Sequence, residues 1–318
     1  MSKKIVGAVL VAVITNMACA AENGSSQAAV AFSIDGQSYF DLPPPGGSYL
    51  INYTGHFKSS NLVGNDGKTS LPGASVSGTY NVFRLSYFPK TEILGAEWRA
   101  FEIFPTIVRS EFSFNGQTQR ETGLADLAID PFGLAWRYGK GIIGFSTTLV
   151  LPTAKYDQNK AANLGKNYAS WMPQFFYTRH LDNNWGDLSV HSGYEYNFAN
   201  SEGLRTFSNP TGAKYHSGQM VHTEIALSKY IGNWRLAANV VGGYQFTRDR
   251  IKGNDQSDTF LREQLDGNKY RKVGFGLSAV YLVKGYIPVT LSYTKDVSAR
   301  NTAKGNSIVL RLIAPLAM

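Results

Sequence analysis

The chain is almost without thiol: one cysteine, Cys19, among 318 residues. It falls in an N-terminal stretch that reads as a secretory signal. Lys3 and Lys4 supply the charged start, Ile5 to Ile14 the apolar run, and Ala18-Cys19-Ala20 the small-residue cleavage site, so cleavage is expected before Ala21. The apolar run is too short to cross a bilayer as a helix, which takes about 20 residues. Asn16 stands where a lipoprotein signal has leucine, which argues against acylation of Cys19. Loss of residues 1–20 leaves a mature chain with no disulfide, no cysteine-ligated metal and no cysteine nucleophile. Long apolar runs, linkers and low-complexity tracts are also missing, so nothing divides the chain and no helical span is expected. Removing Lys3 and Lys4 lowers the formal net charge from +8 to +6, and no Lys/Arg block occurs, which excludes a nucleic-acid surface.

Chemical motifs are equally scarce. The five histidines, His56, His180, His191, His216 and His222, form no H-E-x-x-H and no ligand pair at helical spacing, and there is no G-x-S-x-G elbow. Gly139-Lys-Gly-Ile-Ile-Gly144 fits G-x-G-x-x-G, but Phe145 to Leu151 continues as strand where a dinucleotide site requires a helix N-terminus, so it reads as a hairpin turn. No cofactor, no metal site and no catalytic residue are expected.

What the chain does have is glycine (32 residues), aromatics (13%) and period-two alternation. In 234–246, Trp234, Leu236, Ala238, Val240, Tyr244 and Phe246 share one face while Arg235, Asn239 and Gln245 share the other. Val273, Phe275, Leu277, Ala279, Tyr281 and Val283 alternate with small residues, Ile287 to Tyr293 alternates likewise, and Ile308, Leu310 and Leu312 oppose Arg311. In 187–198, Leu188, Val190, Tyr194, Tyr196 and Phe198 oppose Asp187, Ser189, His191, Glu195 and Asn197. The strands fall near 48–57, 79–88, 93–114, 123–138, 141–151, 168–180, 185–198, 215–231, 233–247, 269–283, 286–297 and 304–315. Many exceed ten residues, as tilted transmembrane strands do. Longer gaps (58–78, 115–122, 152–167, 199–214, 248–268, 298–303) alternate with tight ones such as Gly139-Lys140 and Lys284-Gly285, which is the pattern of long external loops and short periplasmic turns. Reading through Pro105 keeps that rhythm and an even count.

Aromatics gather beside the tight turns: Tyr87, Phe88, Trp136, Tyr138, Trp185, Tyr230, Trp234 and Tyr286 fit an interfacial girdle, with Phe57, Tyr80, Phe114, Tyr168, Trp171, Phe198, Tyr215 and Tyr270 as the opposite belt. The expectation is an all-β protein: a transmembrane antiparallel up-and-down β-barrel of about 12 strands, with 14 as the alternative and both termini periplasmic. Residues 21–47 form an N-terminal periplasmic or luminal segment and 48–318 the barrel.

Four segments, GGSYLINYTGHFKSSNL (46–62), GLADLAIDPFGLAWRYGKG (123–141), LPTAKYDQNKAANLGKNYASWMPQF (151–175) and YHSGQMVHTEIALSKYIGNW (215–234), keep an order that resembles the MetA-pathway-of-phenol-degradation family of outer-membrane β-barrel proteins. The combination LPTAKYD, NLGKNY and SGQ…GNW is fairly specific and covers much of the mature chain. The resemblance implies an outer-membrane channel-like protein, associated by name with aromatic compounds. One departure is the C-terminus, LIAPLAM, where such barrels usually end in an aromatic residue.

By strand parity the lumen would receive Arg84, Glu97, Arg99, Arg109, Glu111, Asp126, Asp187, His191, Glu195, His222, Glu224, Arg235, Lys272 and Arg311. Opposite charges on neighbouring strands would pair across the ladder, and the same groups would set the electrostatics of a permeation path. Glu102 falls on the apolar phase of 93–114 and has no explanation there. Twelve strands lie between a filled barrel and a wide pore. The leading reading is passive uptake of small solutes, aromatic if the family name is followed. The alternatives are an outer-membrane lipid-modifying enzyme, with Ser189 or Ser192 beside His222, and a non-conducting structural or surface-interaction barrel. The expected partners are outer-membrane lipid and lipopolysaccharide, the barrel-assembly machinery and small-molecule solutes.

Overall fold

The computed structural model describes residues 38–317 apart from 207, 285 and 286. The signal segment 1–20 with Cys19, residues 21–37 and Tyr286 therefore lie outside the described residues. The strands of the main sheet are β1 (Gly47–Ser59), β2 (Ser75–Phe88), β3 (Trp98–Phe104), β4 (Thr106–Phe114), β5 (Gln117–Leu124), β6 (Leu127–Tyr138) and β7 (Gly141–Leu151). They continue with β8 (Ser170–His180), β9 (Gly186–Asn197), β10 (Met220–Ile231), β11 (Trp234–Gln245), β12 (Arg271–Val283), β13 (Ile287–Arg300) and β14 (Asn306–Ala317). All pair antiparallel with their neighbours. β1 bonds both β2 and β14, which closes the wall as a 12-strand barrel.

The count of 12 arises because β3 with β4, and β5 with β6, are each one wall strand interrupted once. Proline cannot donate to a ladder, so Pro105 ends β3. Even so, Phe83 N donates to the Pro105 carbonyl (2.9 Å), and the pairs Leu85↔Ile103 and Val82↔Thr106 keep a single register across it. The unbroken reading of this stretch holds as a path through the wall. The expected loop 115–122 is instead a two-residue turn, Asn115-Gly116, both with positive φ. An Asn-Gly pair suits such a hairpin turn, and it carries β4 and β5 upward as a tall hairpin.

A β-bulge interrupts β6. Between Ile129 and Gly133 this strand spends one residue more than either neighbour, as shown by Ile129↔Leu149 then Phe132↔Thr147 on one side and Glu102↔Asp130 then Ala100↔Gly133 on the other. Pro131 sits in the bulge, where its missing N–H costs no ladder bond. The bulge shifts the parity of the strand, so Ala128 and Asp130 face inward above it while Gly133 and Ala135 face inward below it, toward the short-turn rim.

Long loops gather at one rim. Two short strand pairs, Leu62–Val63 with Thr302–Ala303 and Lys214–His216 with Arg250–Lys252, and the helix α1 (Asp255–Gln264), fold there. α1 is capped by Asn254, whose side chain accepts from Ser257 N (3.0 Å). At the short-turn rim a 3₁₀ turn, Tyr39–Asp41, lies inside the barrel ahead of β1.

Candidate functional site: the barrel lumen

Alternating burial identifies the inner face of each strand, and the lumen it encloses has two sides. Ile51, Val82, Phe104, Ala128, Val150 and Met172, on β1 to β3 and β6 to β8, form the greater part of one apolar cluster. The opposing wall, β9 to β14, turns polar side chains inward. Here the sequence parity locates Asp187, His191, Glu195, His222, Glu224, Arg235, Lys272 and Arg311 on the inner face, with Arg84 on the apolar side.

All but Arg235 find a partner on a neighbouring strand, though not always on the expected side. Glu195 Oε2 lies 3.2 Å from His222 Nε2, a cross-strand pair. Asp187 turns the other way: its Oδ1 is 2.5 Å from His180 Nδ1 on β8, and Tyr230 OH donates to Oδ2 at 2.6 Å. His191 Nε2 is 2.9 Å from Gln174 Oε1, and Asn239 Nδ2 donates to Glu224 Oε1 at 2.5 Å. Lys272 Nζ pairs with Asp296 Oδ2 at 2.8 Å, and Arg311 Nη2 donates to Thr290 Oγ1 at 2.9 Å.

Arg235 takes a partner no strand pattern could supply. Its Nη1 donates to Asp41 Oδ1 at 2.8 Å and its Nη2 to Asp41 Oδ2. Asp41 belongs to the N-terminal turn, and Arg311 adds a second cation 3.9 Å away. In the same turn, Tyr39 stacks on Phe176 with ring centroids 3.9 Å apart, and Phe40 stacks on His180 at 3.6 Å. Tyr39 N donates to Thr178 Oγ1 at 3.0 Å. Phe176 can lie flat on the wall because the residue opposite it is Gly144. A Cβ there would stand 2.1 Å from Phe176 Cζ.

Five expected lumen residues lie elsewhere. Arg109 and Glu111 are on the outer face of the tall β4–β5 hairpin, where Arg109 and Arg120 both bond Glu111 Oε1 at 2.6 Å and hold its carboxyl below the usual range. Arg99 faces outward over Phe101, with its guanidinium carbon 5.5 Å from the ring centroid. Glu97 sits in the turn before β3 and pairs with Arg137 (2.8 Å). The phase was inverted because this strand packs Trp98, Phe104, Phe112 and Phe114 inward, while its upper outer face is polar. The same inversion accounts for Glu102, which points inward and accepts from Arg84 Nε (2.9 Å), Arg84 Nη2 (2.6 Å) and Ser86 Oγ (2.6 Å). Asp126 lies between β5 and β6, where it accepts from Ala154 N (3.0 Å) and Lys166 N (2.8 Å).

Of the girdle residues, Trp136, Tyr138, Trp185 and Trp234 lie on the outer surface, but Tyr230 faces inward onto Asp187. In the opposite belt only Trp171 and Phe198 are outward, joined there by Tyr244, Phe246 and Tyr293. Tyr168, Tyr215 and Tyr270 are buried, Phe114 packs inside, and Tyr80 lies over Gly55 on the inner side. Phe57 carries the Lys272 ammonium 5.0 Å from its ring centroid.

At the long-loop rim, Leu62, Leu71, Ala74, Phe112, Phe114, Ala162 and Ala303 form a buried apolar cluster. In the loops beside the separate cluster of Tyr215, Ile251 and Leu261, Asp249 is buried and accepts four hydrogen bonds: from Tyr215 OH (2.6 Å), Gly218 N (2.6 Å), Gln245 Nε2 (2.6 Å) and Asn268 Nδ2 (2.9 Å). Burial raises its pKa to about 6 although these bonds pull the other way. Among the described residues, packed elements thus stand at both rims of the lumen.

The hydrolase constellation does not assemble. Ser192 faces outward and donates to the His222 carbonyl (3.2 Å), whereas Ser189 faces inward and its Oγ lies 2.8 Å from Thr178 Oγ1. The segment Gly139–Gly144 is the hairpin turn into β7. Among the described residues no cluster of metal-ligating side chains occurs.

Among solved structures, the COG4313 outer membrane channel from Pseudomonas putida F1 superimposes with a TM-score of 0.71 at 16% identity, over 87% of this chain and 98% of that one. The NanC porin (TM-score 0.42, 8% identity, 84% and 98% covered) and the beta domain of the Bordetella autotransporter BrkA (0.47, 9%, 84% and 98%) are more distant barrels that carry no further argument. No curated protein matches. The family model described as "Putative MetA-pathway of phenol degradation" matches residues 59–312. With the quoted segments in their expected strands and that match spanning most of the wall, the chain belongs to this family.

Proposed function

We propose that the protein is an outer-membrane channel for passive uptake of small solutes with an apolar, aromatic body and a polar group. The observation that carries this reading is the mixed lumen: an apolar cluster on β1 to β3 and β6 to β8, interrupted by Arg84, Glu102, Asp130 and Gln174, faces a mainly hydrogen-bonding wall on β9 to β14. A solute with one face of each kind can exchange water for protein contacts without leaving a polar group unpaired. In this reading the inward row Asp187, His191, Glu195, His222, Glu224, Arg235, Lys272 and Arg311 sets the electrostatics of the path. The Tyr39–Asp41 turn and the long loops are the elements that must yield for solute to pass. The chain reaches the outer membrane through cleavage before Ala21 and the barrel-assembly machinery, and its outward Trp and Tyr residues meet outer-membrane lipid and lipopolysaccharide.

Purified protein in planar bilayers should conduct. A strain lacking the gene should take up aromatic acids or neutral phenols more slowly. Silence in both measurements would sink the channel reading. The packing of Tyr39 and Phe40 inside one rim and of the loop cluster at the other favours one rival, a non-conducting surface-interaction barrel. That rival requires both measurements to be silent while the long loops bind a partner.

A further inference from the structure

Against the N-terminal turn the barrel wall is hollow. A cavity with about 860 Å³ of empty space, part of it open to solvent, lies between Tyr39 and strands β1 to β3 and β6 to β9. Phe88, Trp98, Phe104 and Phe176 line it. Among the buried polar atoms of its lining residues that have no partner are Trp98 Nε1, a donor, and Asp130 Oδ1, an acceptor, on residues only 8% and 4% exposed. Buried polar atoms are otherwise almost always bonded, and each exception calls for a reason.

The position of Asp130 supplies one. It is the direct cross-strand partner of Glu102, whose oxygens are already taken by Arg84 and Ser86. Two acids therefore share one guanidinium, and Glu102 holds it. The hydroxyls of Ser146 and Thr148 flank the Asp130 carboxyl, yet Oδ1 stays open. Asp130 also begins the β6 bulge, a device that re-aims a side chain and is enriched beside functional sites.

We propose that this cavity is a solute-binding site, in which an aromatic ring lies among the Phe and Trp side chains and a donor-bearing head group, hydroxyl or ammonium, bonds Asp130 Oδ1. A carboxylate in the same place would set a second acceptor and a second negative charge against Asp130 Oδ1, so the site discriminates against aromatic acids. The inference deepens the uptake reading and rests on it for its physiological meaning, but binding can be measured without transport.

The test is calorimetric titration of the full-length purified barrel with three probes that share one ring: benzylamine, benzyl alcohol and benzoate. The expected result is that benzylamine and benzyl alcohol each bind at least tenfold more tightly than benzoate. Asp130→Asn, which keeps the shape and adds a donor, should bring both ratios to within about threefold of unity while heat-modifiable gel mobility stays that of the folded barrel. Should Asp130→Asn fail to fold, Trp98→Phe serves in its place and should weaken benzyl alcohol binding without removing the preference over benzoate. Benzoate binding as tightly as the other two, or ratios untouched by Asp130→Asn, would overturn the proposal. Binding with these ratios but no uptake would refute the transport reading and leave the site standing; uptake without them would do the reverse.

Discussion

The contact between Asp41 and Arg235 is the clearest place to perturb the lumen. Arg235 has a side chain 1% exposed and Asp41 one 10% exposed, so the pair is sealed from water. Asp41→Ala would leave the guanidinium buried without its carboxylate. Breaking a buried pair from one side costs about 3–5 kcal/mol. Part of this is recoverable, because Arg235 keeps the face of Tyr230, 6.0 Å from its ring centroid, which sets the expectation at the lower end, about 3 kcal/mol. The remaining anchors are the buried Tyr39 and the stacked Phe40. Each aromatic pair contributes about 0.5–1.5 kcal/mol beyond burial. The variant therefore removes a share of the seating energy as large as either ring provides. At about 1.4 kcal/mol per tenfold, the population with the turn unseated should rise roughly 100-fold. In single-channel recordings the open probability of Asp41→Ala should rise by that order, with Asp41→Asn intermediate because it retains an acceptor for Arg235. An unchanged open probability in a variant that still shows folded-barrel gel mobility would mean that the pair does not hold the turn, and the reasoning would fail.

Further outcomes follow from the same geometry. Asp249 has its folded pKa raised to about 6, above the ordinary carboxylate value near 3.9. Its ionised form is thus the disfavoured one in the folded loops, so stability is gained as pH falls through about 6 toward 4 and is absent above that window, an effect of about 2–3 kcal/mol. Hydrogen exchange across residues 246–270, corrected for intrinsic rates, should slow between pH 7.5 and 5, and Asp249→Asn should remove the difference. Gly144→Val forces Phe176 off the wall, since a Cβ would stand 2.1 Å from its Cζ; overpacking costs about 1–3 kcal/mol, and thermal unfolding followed by gel mobility should shift downward. Arg109→Gln with Glu111→Gln should leave cation/anion selectivity unchanged because both side chains face outward, whereas Glu224→Gln should move the reversal potential in a salt gradient.

From β9 to β14 the inner face was legible in the sequence because lipid imposes a strict rule on the other face: Leu188, Ile225, Leu236, Leu277, Leu291 and Leu310 all stand outside. Around 93–138 the same rule misleads. There the inside is packed with Trp98, Phe104 and Phe112, and the outside of the tall hairpin is wet, so apolarity no longer marks the lipid face. A bulge at Asp130-Pro131 then changes the phase within one strand, which a fixed period of two cannot describe. Trp136 outside and Asp130 inside are compatible only through that extra residue. The seat of Tyr39–Asp41 left no trace at all. Three residues show no periodicity, and their meaning lies in Phe176, His180 and Arg235, more than 130 positions away.

The link between that turn and the wall has a further consequence. Pro43-Pro44-Pro45 is a stiff spacer of about 9 Å in polyproline geometry, and Gly46, at φ +98°, makes the bend into β1 that a side chain would resist. Tyr39 is thus a ligand on a leash. It meets its place over the cavity not at the concentration of a free molecule but at an effective concentration in the millimolar range or above. Any solute that needs the same ground competes with a tethered rival always present at that level. Its apparent affinity is lowered by the fraction of time the rival is home. Lengthening the proline run would weaken the competitor without altering a single contact in the cavity.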